Sequence, residues 1–199
     1  MKLIENISKI GSLLAKARPA PETKAPKMKI IDDLFSLDLI KKIQKFSRSS
    51  TQVRTSLTSW DSYLIHRSSA IVLVDIKGDL AEEVKNELRP HLDNRWFDAV
   101  WGISVHVGPM ASYIPWHNDG QAGMSVTCYF NNPWEKEWAG YFIYEDDGEM
   151  KCIVPQFNRG MIYEPPILHT VALSSPEAPL RESLQIFIAA GSHDMDHHV

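Results

Sequence analysis

His117 and Asp119 stand as an H-x-D pair, His169 falls in the segment P-P-I-L-H-T, and Arg181 leads the segment R-E-S-L-Q-I-F-I. Two neutral imidazoles and one carboxylate suit an iron(II) ion that takes three protein ligands on one face and keeps its other positions open. The H-x-D spacing has a geometric reason. On an extended strand, side chains two residues apart share a face, so His117 and Asp119 can aim at one ion while Asn118 points away. His169 lies far enough downstream for several short strands to intervene and return alongside. Arg181 follows at a distance that fits one strand, a turn and entry into the next, where Arg181 and Ser183 share a face by the same period of two. A guanidinium beside a hydroxyl is a good receptor for a carboxylate, because its fork gives paired charge-assisted hydrogen bonds.

With these residues in this order, the stretch from about Met28 to about Ala190 resembles the iron(II)- and 2-oxoglutarate-dependent dioxygenases, in their prolyl-4-hydroxylase-like branch. The segment V-T-C-Y-F-N-N-P-W, Val126 to Trp134, is similar to the strand that follows the H-x-D pair in that branch. Ala139 to Tyr144 stands where the family has a strand led by small residues. Phe157-Asn158-Arg159-Gly160 matches the turn before the strand that leads to the distal histidine, and Arg181-Glu182-Ser183 has the R-x-S form of the co-substrate anchor. The resemblance implies that His117, Asp119 and His169 hold Fe(II), and that 2-oxoglutarate and O2 are co-substrates. It also implies that Arg181, with Tyr129 and Ser183, grips the far carboxylate of 2-oxoglutarate. The implied reaction hydroxylates a C–H bond of a peptidyl or free amino acid, proline first, and releases succinate and CO2. Two positions depart from the pattern. Ile114 stands where many relatives carry a second co-substrate tyrosine, with Tyr113 one step off and expected to face the other way. Asp119 is present where related halogenases have a small residue, which favours hydroxylation. A non-catalytic cupin-like metal-binding or sensory module is the alternative; a jelly-roll metalloenzyme without 2-oxoglutarate would leave Arg181, Ser183 and Tyr129 without a purpose.

The bulk properties fit one soluble enzyme domain. The chain has 199 residues, 44% of them hydrophobic and 23% charged, enough to bury a sizeable core. A net charge of −4 offers no basic footprint for nucleic acid, so the expected partner is a small-molecule or peptide substrate. Two well-separated cysteines, Cys128 and Cys152, do not make a disulfide framework, and a reducing, cytoplasmic setting is expected. The apolar start is interrupted by Glu5, Asn6 and Ser8 too soon for a signal-peptide core, and no run approaches a membrane span.

The elements that must position the site follow from periodicity. Ile4, Ile7, Ile10, Leu13 and Leu14 predict a short amphipathic helix over 3–16, and Pro19 to Pro26 a stiff linker, so residues 1–27 form a leader to a domain over 28–190. Within the domain, Lys29 to Ile31 reads as a strand, and Leu39, Ile40, Ile43 and Phe46 share a helical face. Ala70 to Val74 reads as a buried strand and Leu80 to Leu92 as a second helix. Eight short strands follow, around 100–107, 113–116, 124–131, 141–145, 150–154, 161–164, 169–173 and 180–189, separated by Asn, Asp, Gly and Pro turns. That pattern predicts a mainly β protein with a flanking helical layer, a double-stranded β-helix (jelly roll, cupin-like) with the metal at one open end. Alternation puts Ser125, Thr127 and Tyr129 on one face and Val126, Cys128 and Phe130 on the other. Trp116, Trp134 and Trp138 read as core or rim packing, with a substrate wall as the sharper alternative. Asn118, Gln121, Arg159 and Glu164 are weaker substrate-contact candidates, and the His/Asp-rich tail over 191–199 reads as frayed.

Overall fold

The computed structural model describes residues 28–189 apart from Gln121, so the expected helix over 3–16, the linker after it, the tail and the Gln121 contact lie outside the described residues. From the amino-terminal side the elements are β1 (Met28–Ile31), α1 (Leu37–Ser49), β2 (Arg54–Thr55), the short turns of helix α2 (Ser56–Ser59) and α3 (Ser62–Ile65), β3 (Val72–Asp75) and α4 (Gly78–Leu88). The strands β4 (Val100–Gly108), β5 (Ile114–His117), β6 (Met124–Tyr129), β7 (Phe142–Asp146), β8 (Glu149–Ile153), β9 (Gly160–Tyr163), β10 (His169–Val171) and β11 (Arg181–Ala189) complete it. All eight strands expected after residue 100 are present. They form two antiparallel sheets, one of seven strands ordered β1-β9-β6-β11-β4-β3-β2 and one of four ordered β5-β10-β7-β8. This is the double-stranded β-helix with its helical layer.

The helical layer covers the outer face of the seven-stranded sheet. Leu39, Ile40 and Ile43 of α1 and Ala81, Val84 and Leu88 of α4 pack on Val105, Val126, Cys128, Leu184, Ile186 and Ile188, all buried. Each such large aliphatic side chain contributes about 1.5–3 kcal/mol on leaving water. Ser36 caps α1 by accepting from the Leu39 N–H at 3.3 Å, and its own N–H and hydroxyl reach Glu87 of α4 at 2.7 and 2.6 Å. Phe46, expected on the buried face, is 39% exposed, because the apolar stripe of α1 turns through Ser47 instead. The second helix ends at Leu88 and not Leu92, where Pro90 sits in a 3-10 turn, Arg89–His91, that closes it. The strand expected at Ala70 begins at Val72, since Ile71 instead exchanges backbone and hydroxyl hydrogen bonds with Ser56.

Strand alternation then determines what the barrel encloses. On β11, Leu184, Ile186 and Ile188 face the helices, which leaves Arg181, Ser183, Gln185 and Phe187 on the inner face. On β6 the inner residues are Ser125, Thr127 and Tyr129, as the sequence pattern requires. A second cluster, Tyr129, Phe142, Tyr144, Ile153, Met161, Tyr163 and Ile167, fills the space between the sheets. A third, Leu64 with Ile114, Val171 and Trp60, joins the α2–α3 segment to β5 and β10. No described helix is long and apolar enough to cross a membrane.

Candidate metal centre

His117 ends β5 and His169 begins β10, and the two are register partners across that strand pair. Their rings lie 4.2 Å apart between centroids. The register of this strand pair shifts between His169 and Val171, an irregularity at the rim of the barrel. Asp119 follows β5 on the turn that leads into β6, and its Oδ1 lies 3.9 Å from His117 Nε2 and 4.0 Å from His169 Nε2. One ligand atom from each residue lies within 4.8 Å of the others, and no other such three-residue group of potential ligands occurs among the described residues.

Each ligand atom is presented by a second contact. His117 Nδ1 lies 2.7 Å from the Pro115 carbonyl and His169 Nδ1 lies 2.9 Å from the Ile167 carbonyl. A carbonyl only accepts, so each Nδ1 carries the proton and each Nε2 keeps a lone pair directed at the common point. Asp119 is held through its other oxygen: the Tyr163 hydroxyl donates to Oδ2 at 2.6 Å. Burial and the neighbouring Asp119 charge push the Tyr163 phenol well above its ordinary range, so it stays a donor. Phe142 stacks on the His169 ring at 4.8 Å and Tyr163 meets it edge-on at 5.6 Å. Burial among these rings holds His169 below the usual imidazole range, which keeps it neutral and able to ligate.

Arg181 is 6% exposed, and among the described residues no carboxylate pairs with it. Burial lowers its pKa from the ordinary value, yet arginine remains charged. Its side chain runs through a channel made by two glycines. A Cβ at Gly108, its register partner on β4, would come within 3.8 Å of Arg181 Nε, and one at Gly140 within 3.8 Å of its Cδ. Tyr129 is 1% exposed and its hydroxyl has no hydrogen-bond partner among the described residues. Burial raises its pKa to about 12 against the opposing pull of the Arg181 charge, so it too is a donor. Ser183, 2% exposed, is the register partner of Tyr129 on β6 and of His106 on β4.

A buried cation without an acid and a buried hydroxyl without an acceptor are both costly unless an anion completes them. They share the barrel with a two-histidine, one-carboxylate set, the donor combination that suits iron(II) with open positions. The residues present therefore fit both groups: an ion would be held by His117, Asp119 and His169, and an anion would sit beside Arg181 and Tyr129.

Several neighbours escaped the sequence reading. Tyr163 looked like any strand tyrosine, and only the pairing of β6 with β9 brings it to Asp119. His106 lies inside the barrel, 9% exposed, with Nε2 3.0 Å from the Ser104 hydroxyl; burial first, and the Arg181 charge second, lower its pKa to about 3. Thr127 and Gln185 form an interior polar pair that no local motif announces. Ile114 is buried and Tyr113 is 40% exposed, so the two point to opposite sides as expected. Trp134 and Trp138 pack edge to face at 5.6 Å, with Trp134 against Gly140. Arg159 is engaged by Asp32 at 2.6 and 2.9 Å, Glu164 pairs with Arg95, and the Asn118 side chain accepts from its own Gly120 N–H at 3.1 Å.

No protein-family model matches the chain, and no curated protein matches it in sequence. Solved structures do match in fold. A prolyl-4-hydroxylase from Pseudomonas putida superposes with a TM-score of 0.66 at 13% identity, over 93% of this chain and 99% of that one. The viral collagen prolyl hydroxylase of Paramecium Bursaria Chlorella virus-1, solved as its 2OG complex, gives 0.64 at 12% identity over 82% and 96%. A prolyl hydroxylase from Trichoplax adhaerens, in complex with a hypoxia inducible factor oxygen degradation domain peptide fragment, gives 0.62 at 14% identity over 82% and 83%. The chain has the double-stranded β-helix fold of these oxygenases.

Proposed function

We propose that this protein is an Fe(II)- and 2-oxoglutarate-dependent dioxygenase whose catalytic domain spans residues 28–190, and that it hydroxylates a C–H bond with release of succinate and CO2. The observation that carries this reading is the unpaired, buried Arg181 inside the same barrel as the His117, Asp119 and His169 cluster. A metal-binding module without turnover has no need of a second, anion-seeking pole. The fold likeness to prolyl hydroxylases supports the same reading.

Iron bound with 2-oxoglutarate and O2 supplies the oxidising power for breaking an unactivated C–H bond. The chain's own residues place the partners. The Pro115 and Ile167 carbonyls fix the two imidazole tautomers, and Tyr163 holds Asp119 through Oδ2, so that Oδ1 is the oxygen turned toward the histidines. Arg181, Tyr129 and Ser183 orient the far carboxylate of the co-substrate. Charge is balanced within the pocket, since Asp119 and a dianion offset a divalent ion and Arg181, and the buried site thereby avoids a large desolvation penalty. Phe142 and Tyr163 pack against the His169 ring and shield that side of the cluster.

Among substrates we place peptidyl proline first, because one fold neighbour is a prolyl hydroxylase in complex with a peptide fragment; free amino acids come second. A reducing, cytoplasmic setting accords with Cys128 and Cys152 both being free thiols. The test is a mass-spectrometric screen for the gain of one oxygen across peptide and metabolite pools, with succinate measured in parallel, with and without 2-oxoglutarate. Oxygen-dependent succinate and a matching oxidised product are expected. Iron binding with no succinate on any substrate would instead favour the sensory module.

A further inference from the structure

Three inner positions of β11 follow one another at the strand period: Arg181, Ser183 and Gln185. The third, Gln185, is half-buried and carries an amide. Its cross-strand partner on β6 is Thr127, itself 5% exposed, and the Thr127 hydroxyl donates to Gln185 Oε1 at 2.7 Å. That bond turns the amide nitrogen toward Ser183, whose Oγ accepts from Gln185 Nε2 at 3.2 Å. The hydroxyl proton of Ser183 then has no acceptor among the described residues.

We infer that Gln185 is a positioning residue for the dicarboxylate: held by Thr127, it occupies the acceptor side of Ser183 and so commits the Ser183 hydroxyl to donate to the anion gripped by Arg181. The inference rests on the proposed co-substrate site and deepens it. The direction of the chain of hydrogen bonds is what links it to an anion. A carboxylate only accepts, so a hydroxyl beside it must donate. A serine that donates forward keeps its lone pairs for a donor behind, and the NH2 of Gln185 is that donor. Thr127 completes the sequence by supplying a proton to the amide oxygen. Thr127, Gln185 and Ser183 thus point donor to acceptor in one sense, ending at the pole formed by Arg181 and the unpartnered Tyr129 hydroxyl. Were Thr127 and Gln185 merely satisfying each other as interior polar groups, the identity of the atom facing Ser183 would not matter to ligand binding.

The experiment is anaerobic titration of 2-oxoglutarate into the Fe(II)-loaded protein by calorimetry, for the wild type, Gln185→Glu, Gln185→Met, Ser183→Ala and the two double variants with Ser183→Ala. Gln185→Glu presents a carboxylate that accepts the Ser183 hydroxyl's hydrogen bond and repels the ligand, and should weaken binding about tenfold or more. Ser183→Ala should weaken binding about fivefold in the wild type, have no further effect in Gln185→Glu, where the hydroxyl already donates to the new carboxylate, and have a smaller effect in Gln185→Met, where nothing occupies its acceptor side and the hydroxyl is free to rotate. Iron affinity should be unchanged throughout. Should Gln185→Glu not fold, the cycle with Gln185→Met decides alone: an equal cost of Ser183→Ala in both backgrounds overturns the inference. Wild-type-like affinity in a folded Gln185→Glu does so as well, and in either case the proposed activity stands. Absence of 2-oxoglutarate binding by the wild type itself would instead remove the activity and the inference together.

Discussion

The Tyr163 hydroxyl donates to Asp119 Oδ2 at 2.6 Å while Asp119 Oδ1 faces both imidazoles. One carboxylate is thereby divided between two tasks, an anchor on β9 and a ligand position at the end of β5. Tyr163→Phe removes the anchor and leaves a half-buried carboxylate oxygen without a donor. Partners of this kind are commonly worth about 10–100-fold in metal affinity. We expect a loss of iron affinity in that range with the fold intact, read by metal titration together with the thermal midpoint.

Tyr129 should act on the co-substrate and leave the metal alone. Its buried hydroxyl has no partner among the described residues, so Tyr129→Phe should remove a donor available to a ligand at little cost to the free protein. A hydrogen bond to a charged group contributes about 1.5–3 kcal/mol. The Michaelis constant for 2-oxoglutarate should rise correspondingly, while denaturant unfolding of the apo-protein stays the same or improves slightly. A marked loss of apo-stability would show that the hydroxyl has a structural partner.

His106 predicts a pH dependence. Its pKa lies near 3 in the fold against an ordinary value of 6.5, chiefly through burial. The unfolded chain therefore binds a proton that the folded protein refuses, and the contribution is fully present above the ordinary value and lost as pH falls toward the lower one. His106→Gln, which can keep a hydrogen bond to Ser104, should abolish that contribution. The difference in unfolding free energy between wild type and variant should change below pH 6.5 with a slope of up to about 1.4 kcal/mol per pH unit. A difference that is flat between neutrality and the acid transition would mean that His106 is accessible to protons in the fold.

Gly160 begins β9 under the loop that connects β1 to α1. A Cβ there would stand 2.2 Å from Leu34 Cδ2 and 3.1 Å from its Cβ and Cγ. Gly160→Ala must displace Leu34 from the core and should cost about 1–3 kcal/mol in denaturant unfolding, the usual range for overpacking. In a Leu34→Ala background the same substitution should cost less, because the Cδ2 and Cγ atoms it meets are gone.

Much of this architecture was legible before any coordinates. The strands after residue 100 announce themselves through alternation and turn residues, and the inward set Ser125, Thr127 and Tyr129 follows from strand period alone. His117, Asp119 and His169 were legible as residue types in a telling order, but the strand expected to carry both His117 and Asp119 ends at His117, and the following turn, not a period of two, brings Asp119 beside the histidines. What stayed hidden depends on register between segments far apart in the chain. Nothing local to Tyr163 points to Asp119, and nothing local to Gln185 points to Thr127; each relation exists only once β9 and β11 lie on either side of β6. The exposed Phe46 and buried Ser47 of α1 have the same origin, since a helix of that composition can turn its stripe by one position and only the sheet beneath decides. The segment α2–α3 was missed because its packing on Ile114 and Val171 uses few apolar residues, at no regular spacing.

The central claim is that one barrel holds a metal-ligating cluster and, at the other pole, a guanidinium awaiting a diacid. Its most direct test is the dependence of 2-oxoglutarate binding on both poles, measured anaerobically for the wild type, His169→Ala and Arg181→Ala. Saturable binding that requires iron(II), vanishes in His169→Ala and weakens about 100-fold or more in Arg181→Ala is the predicted result. Binding that is indifferent to iron, or unchanged in Arg181→Ala, would contradict it.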